Sequence, residues 1–390
     1  MAAPSTLQGA CTPKEVLSLL HLVPPTSVPM LWGPPGVGKS TMVRDFAKAN
    51  GMRFVSVPLH SMEATDFVGL PTFTGSFSTY AVPRWLWQLT EAAERGEVGQ
   101  EEDSGRKETG RPGPRRKGCL LFLDELPQAR PDVMHAVSAL ILDRTVGVGG
   151  LPLAHDVQIV AAGNRTTDAA YTAPLGTHLR SRLIHMTVAV SLEDWREYAR
   201  QRGLEPRVIA FLSASRRWLH AFDPKRKEEP FPCPRSWEVV SRILSHAATA
   251  GGVDNRALEP LVAGAVGMAA ASEFLAFLES ADLCPTAEQI VANPDDVALP
   301  EGRPDLSLLV VENLVMACRE NWVHFTDGTL RFAGKLSGEM RSVLMTALLK
   351  EEGPATMKEA VLSSPHYAAL SKDVARSHRL TVAFDRVLDA

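Results

Sequence analysis

The spacing of apolar and polar residues predicts alternating strands and helices in the first half of the chain. Four short apolar runs, each bounded by turn residues, indicate strands at residues 30–32, 53–59, 119–126 and 157–164. The third run, CLLFLDEL, is apolar at successive positions, as a parallel strand buried on both faces requires. Strands that alternate with helices predict an α/β fold with a parallel sheet covered by helices on both faces.

Two β-hairpins are predicted to interrupt this alternation. Residues 70–83 alternate on either side of Gly75 and Ser76, which predicts an inserted hairpin there. Glycines within residues 145–157 predict a second hairpin. A helix is expected to follow the first hairpin, from about 84 to 95.

The remaining pattern divides the chain into three predicted domains. Residues 1–190 form the α/β domain, and within it residues 97–118 carry many charges without apolar periodicity, which indicates a mobile, solvated loop. A nucleic-acid-binding arm is the alternative for that loop. After residue 190 the apolar residues follow a helical period, which predicts a helical lid at 191–280 and a helical C-terminal extension at 281–390. The extension is expected to be structural or to bind a partner.

A glycine-rich segment joins the first of these strands to the helix that follows it. The segment GPPGVGKS has the spacing G-x-x-x-x-G-K-[ST] in its required strand, loop and helix context. Glycines let backbone N–H groups approach a phosphate chain, and the helix N-terminus adds its dipole. Lys39 is expected to reach the β- and γ-phosphates and Ser40 to hold Mg²⁺. The residues expected to contact the nucleotide are Gly33, Pro34, Pro35, Gly36, Val37, Gly38, Lys39, Ser40 and Thr41.

Polar side chains follow the other buried strands at their carboxyl ends. Asp124 and Glu125 end the CLLFLDEL strand, and Asn164 ends the next one. Ligands of open α/β sheets bind outside these strand ends. We expect Asp124 to bind Mg²⁺ through water, Glu125 to polarise the attacking water, and Asn164 to contact the γ-phosphate or that water.

Three arginines are further candidates for contact with phosphate. Arg180 and Arg182 lie on a short amphipathic helix, where they form either a solvated face or an arginine that reaches across a subunit interface to a γ-phosphate. Arg235 precedes a helix start near Ser236, where it is either a plain surface arginine or a lid residue that touches the phosphates.

Composition narrows the function classes. The net charge of −4 gives no global argument for nucleic acid or an anionic membrane as a partner. The five cysteines are scattered, without the close pairing of a zinc site or disulfide framework, which indicates a reducing cytoplasm. The sequence has no run of 18 apolar residues and starts without a secretion signal, so we expect no membrane span.

The order of the segments GPPGVGKS, LLFLDEL, AAGN, LRSRL and PRSWE resembles that of the AAA+ ATPases. The two hairpins, with TDFVGLP and PRSWEVVSRIL, resemble the MoxR family of the helix-2-insert clade, the group that also holds midasin and dynein-related ATPases. The resemblance spans roughly residues 10–320. It implies a five-stranded parallel sheet of order 5-1-4-3-2, a helical lid, and a ring that is usually hexameric.

The resemblance also implies residue roles. Asp124 and Glu125 match the Walker B motif, and Asn164 matches sensor 1. Arg182 matches the arginine finger, with Arg180 as a second finger, although Ser181 stands where the family often has Asn. The segment that starts at Pro234 matches the sensor 2 region, in which Arg235 is the sensor arginine.

The function implied is that of an ATP-hydrolysing chaperone that uses Mg²⁺ and remodels a protein client. MoxR proteins commonly act with a von Willebrand factor A domain protein, which in this subfamily often resembles a metallopeptidase. One alternative is a nucleic-acid-associated motor of a restriction or defence system, supported only by the basic run at 111–117. Another alternative is a scaffold that binds ATP and hydrolyses little of it. The carboxylate of Glu125 argues against this alternative, because a scaffold does not need a group that polarises the attacking water.

Overall fold

A computed structural model divides the chain into two units, Met1–Ser191 and Leu192–Ala390. It describes residues 9–90, 118–165, 174–226, 228–251, 254–299, 302–349, 355–367 and 370. The predicted loop at 97–118 lies outside the described residues except for Gly118. The division of the second unit into a lid and a C-terminal extension stays a prediction.

Within its described residues, the first unit contains ten strands and six α-helices. The strands are β1 (Ala10–Cys11), β2 (Val28–Trp32), β3 (Arg53–Pro58), β4 (Leu70–Thr74), β5 (Phe77–Ala81), β6 (Cys119–Asp124), β7 (Thr145–Val146), β8 (Leu151–Pro152), β9 (Val157–Gly163) and β10 (Leu183–Val188). The helices are α1 (Pro13–Leu20), α2 (Lys39–Ala49), α3 (Thr65–Val68), α4 (Arg84–Trp87), α5 (Pro131–Leu142) and α6 (Thr177–Arg180).

The main sheet is parallel and has six strands in the order β1-β10-β2-β9-β6-β3. The five strands β10-β2-β9-β6-β3 follow the expected order 5-1-4-3-2, and the sheet has a sixth strand beyond them. The additional strand β1 pairs Ala10 with Thr187 and Cys11 with Val188 at the edge of the sheet. Two residues are too short to show a period of their own, so only pairing with a distant strand reveals β1.

Helices cover both faces of this sheet, as the sequence predicts. Side chains of β6 alternate between the faces: Leu121 and Leu123 pack with α5, whereas Leu120 and Phe122 pack with α2. All four are fully buried. Because burial of such a side chain stabilises the fold by about 1.5–3 kcal/mol, this strand is a main anchor of the core.

The first hairpin is confirmed as β4 and β5, which pair antiparallel with Phe73 opposite Ser78. The helix expected at 84–95 is wrong in length within the described residues. Helix α4 ends at Trp87, because the chain turns and Thr90 forms an isolated bridge with Leu153. Residues 91–95 lie outside the described residues.

The second hairpin, β7 and β8, is also confirmed, and Arg144 holds its base. The backbone of Arg144 is left-handed (φ 52°), and its guanidinium donates to the carbonyls of Pro25 (2.9 Å), Ala154 (3.3 Å) and Val157 (2.6 Å). Partial burial lowers the pKa of this arginine from its ordinary value. The side chain thereby fastens the hairpin beside β9 and the turn that leads into β2.

The second unit is helical and has one continuous hydrophobic core that includes residues from Leu192 to Leu370. Its helices are α7 (Leu192–Gln201), α8 (Pro206–Ala214), α9 (Pro234–Thr249), α10 (Glu259–Val266), α11 (Met268–Ala281), α12 (Ala287–Ala292), α13 (Pro304–Glu320), α14 (Trp322–Ala333), α15 (Gly338–Leu349) and α16 (Ala355–Ser363). No helix in the described part of either unit has the length and apolar character needed to cross a bilayer.

Helices α10 and α11 meet at Gly267. The backbone of Gly267 is left-handed (φ 82°), and a Cβ there would lie 2.7 Å from the carbonyl oxygen of Pro230. Only glycine fits both conditions, so the chain turns between α10 and α11.

A buried ion pair joins α7 to α13 in the core of the second unit. The guanidinium of Arg200 donates two hydrogen bonds, of 2.7 and 2.6 Å, to the carboxylate of Glu312, and both side chains are buried. Arg319 and Glu197 form a second pair between the same helices at 3.2 Å. Burial lowers the pKa of the nearby Arg196 guanidinium.

Candidate functional site

The glycine-rich segment forms the loop between β2 and α2 at the carboxyl edge of the sheet. Gly36 (φ 78°) and Gly38 (φ 96°) both have left-handed backbones, and α2 begins directly after Gly38, at Lys39. These conformations turn the backbone sharply ahead of an eleven-residue helix. The N-terminus of that helix presents free N–H groups and a positive dipole end, which suit a phosphate.

Lys39 is the buried cation of this loop, with only 8% of its surface exposed. Its ammonium donates to the carbonyls of Gly33 (2.7 Å) and Pro34 (3.0 Å) and to Oδ1 of Asn164 (2.9 Å). The structure therefore brings Lys39 and Asn164 together from two adjacent strands. A phosphate oxygen at this place would replace neutral acceptors by a charged one, which forms stronger hydrogen bonds.

Ser40 and Asp124 meet on the other side of the loop. The Ser40 hydroxyl donates to Oδ2 of Asp124 at 2.7 Å, and the Glu125 backbone N–H donates to Oδ1 at 3.0 Å. A hydroxyl and a carboxylate are the hard oxygen ligands that Mg²⁺ prefers. Among the described residues no three His, Cys, Asp or Glu side chains form a metal-binding group, so an ion here would complete its coordination with phosphate oxygens and water.

Glu125 has a left-handed backbone (φ 58°), one of two such non-glycine residues in the described chain. This uncommon conformation turns the chain from β6 into the short 3₁₀ turn Leu126–Gln128. The carboxylate contacts Nδ1 of His60, and the side chain of Glu125 is 37% exposed, so water can reach it. Strain of this kind clusters at functional sites.

His60 is a site residue that sequence reasoning missed. It lies in the turn directly after β3, the strand that pairs with β6. The rule that collects polar side chains at carboxyl strand ends would have found it, because β3 ends at the same sheet edge.

A second missed residue, His185, lies between the loop and the turn at 177–182 that carries the candidate finger arginines. The Trp32 indole donates to Nδ1 of His185 at 2.8 Å, and Nε2 of His185 lies 2.9 Å from the carbonyl oxygen of Arg180. The two rings stack with their centroids 5.9 Å apart. No sequence signal points to this contact, because it depends on the pairing of β2 with β10.

The structure places the three candidate arginines on exposed surface. Arg180 is the last residue of α6, whereas Arg182 lies two residues beyond it, so the expectation that one helix carries both arginines is wrong. Among the described residues neither guanidinium hydrogen-bonds to Asp124, and that of Arg182 donates to the carbonyl of His178 at 3.0 Å. Arg235 is the second residue of α9 in the second unit, so that helix starts two residues before the expected Ser236.

Comparison with known families identifies the domain that holds this site. Residues 29–183 match the family profile described as AAA domain (dynein-related subfamily). The matched range runs from within β2 to the start of β10 and includes Gly33, Pro34 and Asn164, which accept hydrogen bonds from Lys39. The chain therefore carries an AAA+ domain, and the protein is an ATPase.

Comparisons at greater distance add no argument. Curated protein sequences contain no match to the chain. Two crystal structures of NtrX from Brucella abortus, one of them in complex with ADP, are similar at 18% identity and a TM-score of 0.36. They cover 87% and 88% of this chain and each is covered over 69% of its own length. A TM-score this low supports no inference about fold or function.

Proposed function

We propose that this ATPase is a MoxR-type chaperone, a ring-forming subunit that couples ATP hydrolysis to the remodelling of a protein client or complex. One observation carries the ATP-hydrolysing part: two hydrogen-bonded pairs, Lys39 with Asn164 at 2.9 Å and Ser40 with Asp124 at 2.7 Å, lie at one sheet edge. Three distant segments of the chain supply these groups. Their convergence supports a site built for a nucleotide triphosphate and Mg²⁺.

Ser40 and Asp124 are the residues that would hold Mg²⁺. Bound there, the ion neutralises negative charge on the phosphate oxygens. Lys39 turns its ammonium from the carbonyls of Gly33 and Pro34 towards the β- and γ-phosphates. Asn164, already within 2.9 Å of that ammonium, is placed to orient the γ-phosphate or the water beside it.

Glu125 is the proposed general base. Its carboxylate takes a proton from water as the water oxygen bonds to the γ-phosphorus, and the bond from that phosphorus to the bridging β-γ oxygen breaks to give ADP and phosphate. The contact with His60 occupies one carboxylate oxygen. The backbone of Glu125 fixes the direction of the side chain, which leaves the partly exposed carboxylate open to water.

The exposed arginines support a site that is shared between subunits. Arg182 is exposed on the surface of the first unit, where its guanidinium donates to the carbonyl of His178 and, within the described residues, not to Asp124. We assign it the role of the finger that stabilises charge at the neighbouring subunit's γ-phosphate, with Arg180 as a second finger. Arg235 is assigned to the phosphates as the lid residue. A ring, hexameric by family resemblance, follows from this arrangement.

The inserted hairpin supports a protein as the client. Its residues 69–83 carry no charge, and Leu70, Phe73, Phe77 and Tyr80 are exposed on it. An uncharged apolar surface suits a polypeptide and gives no electrostatic attraction to a nucleic-acid backbone. The partner with a von Willebrand factor A domain and a cytoplasmic location belong to the proposal through family resemblance alone.

ATP turnover and particle size test this proposal together. We expect Glu125→Gln to lower turnover by about 100-fold while the protein still assembles in ATP, as light scattering would report. The matched control is Glu63→Gln, which changes an exposed carboxylate of the same unit and should leave turnover unchanged. Stimulation of wild-type turnover severalfold by DNA would overturn the chaperone proposal in favour of a nucleic-acid motor. Full turnover in a monomer would overturn the shared site.

A further inference from the structure

We infer that His185 is a positioning residue that ties the arginine-bearing turn at 177–182 to the strand leading into the phosphate-binding loop. The inference rests on the proposed function, because it concerns how one subunit presents its finger to the next. His185 itself touches neither phosphate nor the reacting atoms. It acts through the backbone of Arg180.

The first link joins His185 to the loop. Trp32 is the last residue of β2 and directly precedes Gly33, whose carbonyl accepts from Lys39 at 2.7 Å. The strand register pairs His185 with Met30, two residues before Trp32, so both rings lie on the same face of the sheet. The rings stack at 13° between planes, and the indole N–H reaches Nδ1 of His185 at 2.8 Å.

The second link joins His185 to the turn, and it fixes the tautomer of the ring. An indole nitrogen can only donate, so Nδ1 of His185 is the acceptor. The neutral ring then carries its proton on Nε2, which donates to the carbonyl oxygen of Arg180 at 2.9 Å. That carbonyl belongs to the last residue of α6, and the last carbonyls of a helix have no N–H partner within the helix. His185 therefore caps the helix that ends at Arg180, two residues before Arg182.

Besides this cap, the described contacts of the turn include that of His178 Nε2 with the Ser138 hydroxyl at 3.5 Å, which lies before Arg180 in the chain. Leu179 is fully buried and anchors one side. The carbonyl of His178 accepts from the Ser181 hydroxyl (3.3 Å) and from the Arg182 guanidinium (3.0 Å), which are both bonds within the turn itself. Rotation about Leu179 is resisted by the bond from His185, so loss of this bond should misplace the arginine side chains.

The geometry also gives the link a direction of influence. A phosphate that draws the Lys39 ammonium away from the Gly33 carbonyl changes the backbone directly after Trp32. The hydrogen bonds of Trp32 with His185 and of His185 with Arg180 then shift the Arg180 carbonyl. Each subunit would thereby adjust the finger it offers according to the nucleotide in its own loop. A misplacement of about 1 Å can change a rate by about 100-fold, so a small shift is sufficient.

Three variants of the full chain test the link. His185→Phe keeps a stacking ring and removes both hydrogen bonds, His185→Gln retains an acceptor and a donor, and Trp32→Phe removes only the donor to Nδ1. We expect turnover to fall about tenfold or more in His185→Phe with nucleotide affinity unchanged, and to recover by about threefold or more in His185→Gln. The control His135→Phe changes an exposed histidine on α5 and should leave turnover unchanged.

Mixing experiments decide whether the defect lies in the finger. Glu125→Gln subunits do not hydrolyse ATP but keep Lys39, Trp32 and His185, so their finger is intact. An excess of them should raise turnover at least threefold per His185→Phe subunit, and likewise per Arg182→Ala subunit. If Arg182→Ala is rescued and His185→Phe is not, the positioning role is overturned and the shared site stands. If Arg182→Ala is not rescued either, the shared site of the proposed function is contradicted, and with it the basis of the positioning role.

Melting temperatures show whether the variants still fold. If His185→Phe melts far below the wild type, Trp32→Phe and His185→Gln carry the test. Rescue of Trp32→Phe by Glu125→Gln subunits then supports the link, and wild-type turnover in Trp32→Phe overturns it.

Discussion

The hydroxyl of Ser40 donates a 2.7 Å hydrogen bond to the carboxylate of Asp124, which lies 84 residues further along the chain. The helix after the glycine-rich loop and the end of β6 thus meet through two oxygen ligands. Because both would bind the same Mg²⁺, we predict that Ser40→Ala lowers turnover by about tenfold or more and that higher Mg²⁺ concentrations restore part of it.

Turnover measured against Mg²⁺ concentration checks this prediction. Ser40→Thr keeps the hydroxyl and should remain close to wild type. Chelation with EDTA should abolish turnover in every variant. An unchanged Mg²⁺ dependence in Ser40→Ala would assign the ion to other ligands.

Gly163 provides a second test, because it has no room for a side chain. A Cβ there would lie 2.3 Å from Cδ and 2.6 Å from Cγ of Pro127, in the turn that follows Glu125. Gly163→Ala must therefore displace that turn or the adjacent Asn164. We expect it to cost about 1–3 kcal/mol of unfolding free energy and to lower turnover more than nucleotide affinity.

Denaturant unfolding and steady-state kinetics measure the two effects of Gly163→Ala. Gly149→Ala is the matched control, since a Cβ at Gly149 meets no atom within 4 Å. It should change the unfolding free energy by no more than about 0.5 kcal/mol. Wild-type turnover in Gly163→Ala would mean that the turn containing Pro127 accommodates the extra methyl group without displacing Glu125 or Asn164.

The sequence predicted those parts of the site that follow from local order and parallel-sheet topology. Lys39 and Asn164 meet because strand ends collect at one edge, a rule that needs no coordinates. The same rule places His60 at this edge, but its contact with the Glu125 carboxylate depends on a left-handed backbone at a non-glycine residue, which no local pattern predicts. Strand β1 was missed because two residues carry no period.

His60 gives a third prediction about the rate. A carboxylate oxygen that is already paired with His60 accepts a water proton less readily, so the contact should restrain Glu125. We expect His60→Ala to raise ATP turnover about threefold or more without a change in nucleotide affinity. His60→Gln, which can still donate to the carboxylate, should lie closer to wild type. A fall in turnover of His60→Ala would instead show that His60 orients Glu125 for catalysis.

The buried pair of Arg200 and Glu312 gives a prediction about stability. Glu312→Gln leaves the Arg200 charge buried without its counterion, which should cost about 3–5 kcal/mol of unfolding free energy. The double variant Arg200→Met/Glu312→Leu removes both charges and should cost clearly less than Glu312→Gln alone. No local pattern announces this pair, because its members lie 112 residues apart in sequence.

Urea unfolding of the three proteins measures this comparison. The control is Glu229→Gln, which breaks an exposed pair with Arg226 and should cost no more than about 1 kcal/mol. Equal losses in the Glu312→Gln and double variants would mean that α7 and α13 depend on the charges themselves and not on the burial of an unpaired one.

The exposed aromatic residues of the inserted hairpin give the last prediction. Phe73 and Phe77 are 81% and 76% exposed, so their packing contributes little to folding. We expect the double variant Phe73→Ser/Phe77→Ser to melt within about 2 °C of wild type and to keep basal ATP turnover within about twofold. If the hairpin contacts the client, the same variant in a Glu125→Gln background should lose retention of unfolded casein in ATP. Thr72→Ser/Thr79→Ser, which changes a hydrogen-bonded polar pair on the same hairpin, should retain casein. Equal casein retention by both double variants would mean that the client contacts a surface other than Phe73 and Phe77.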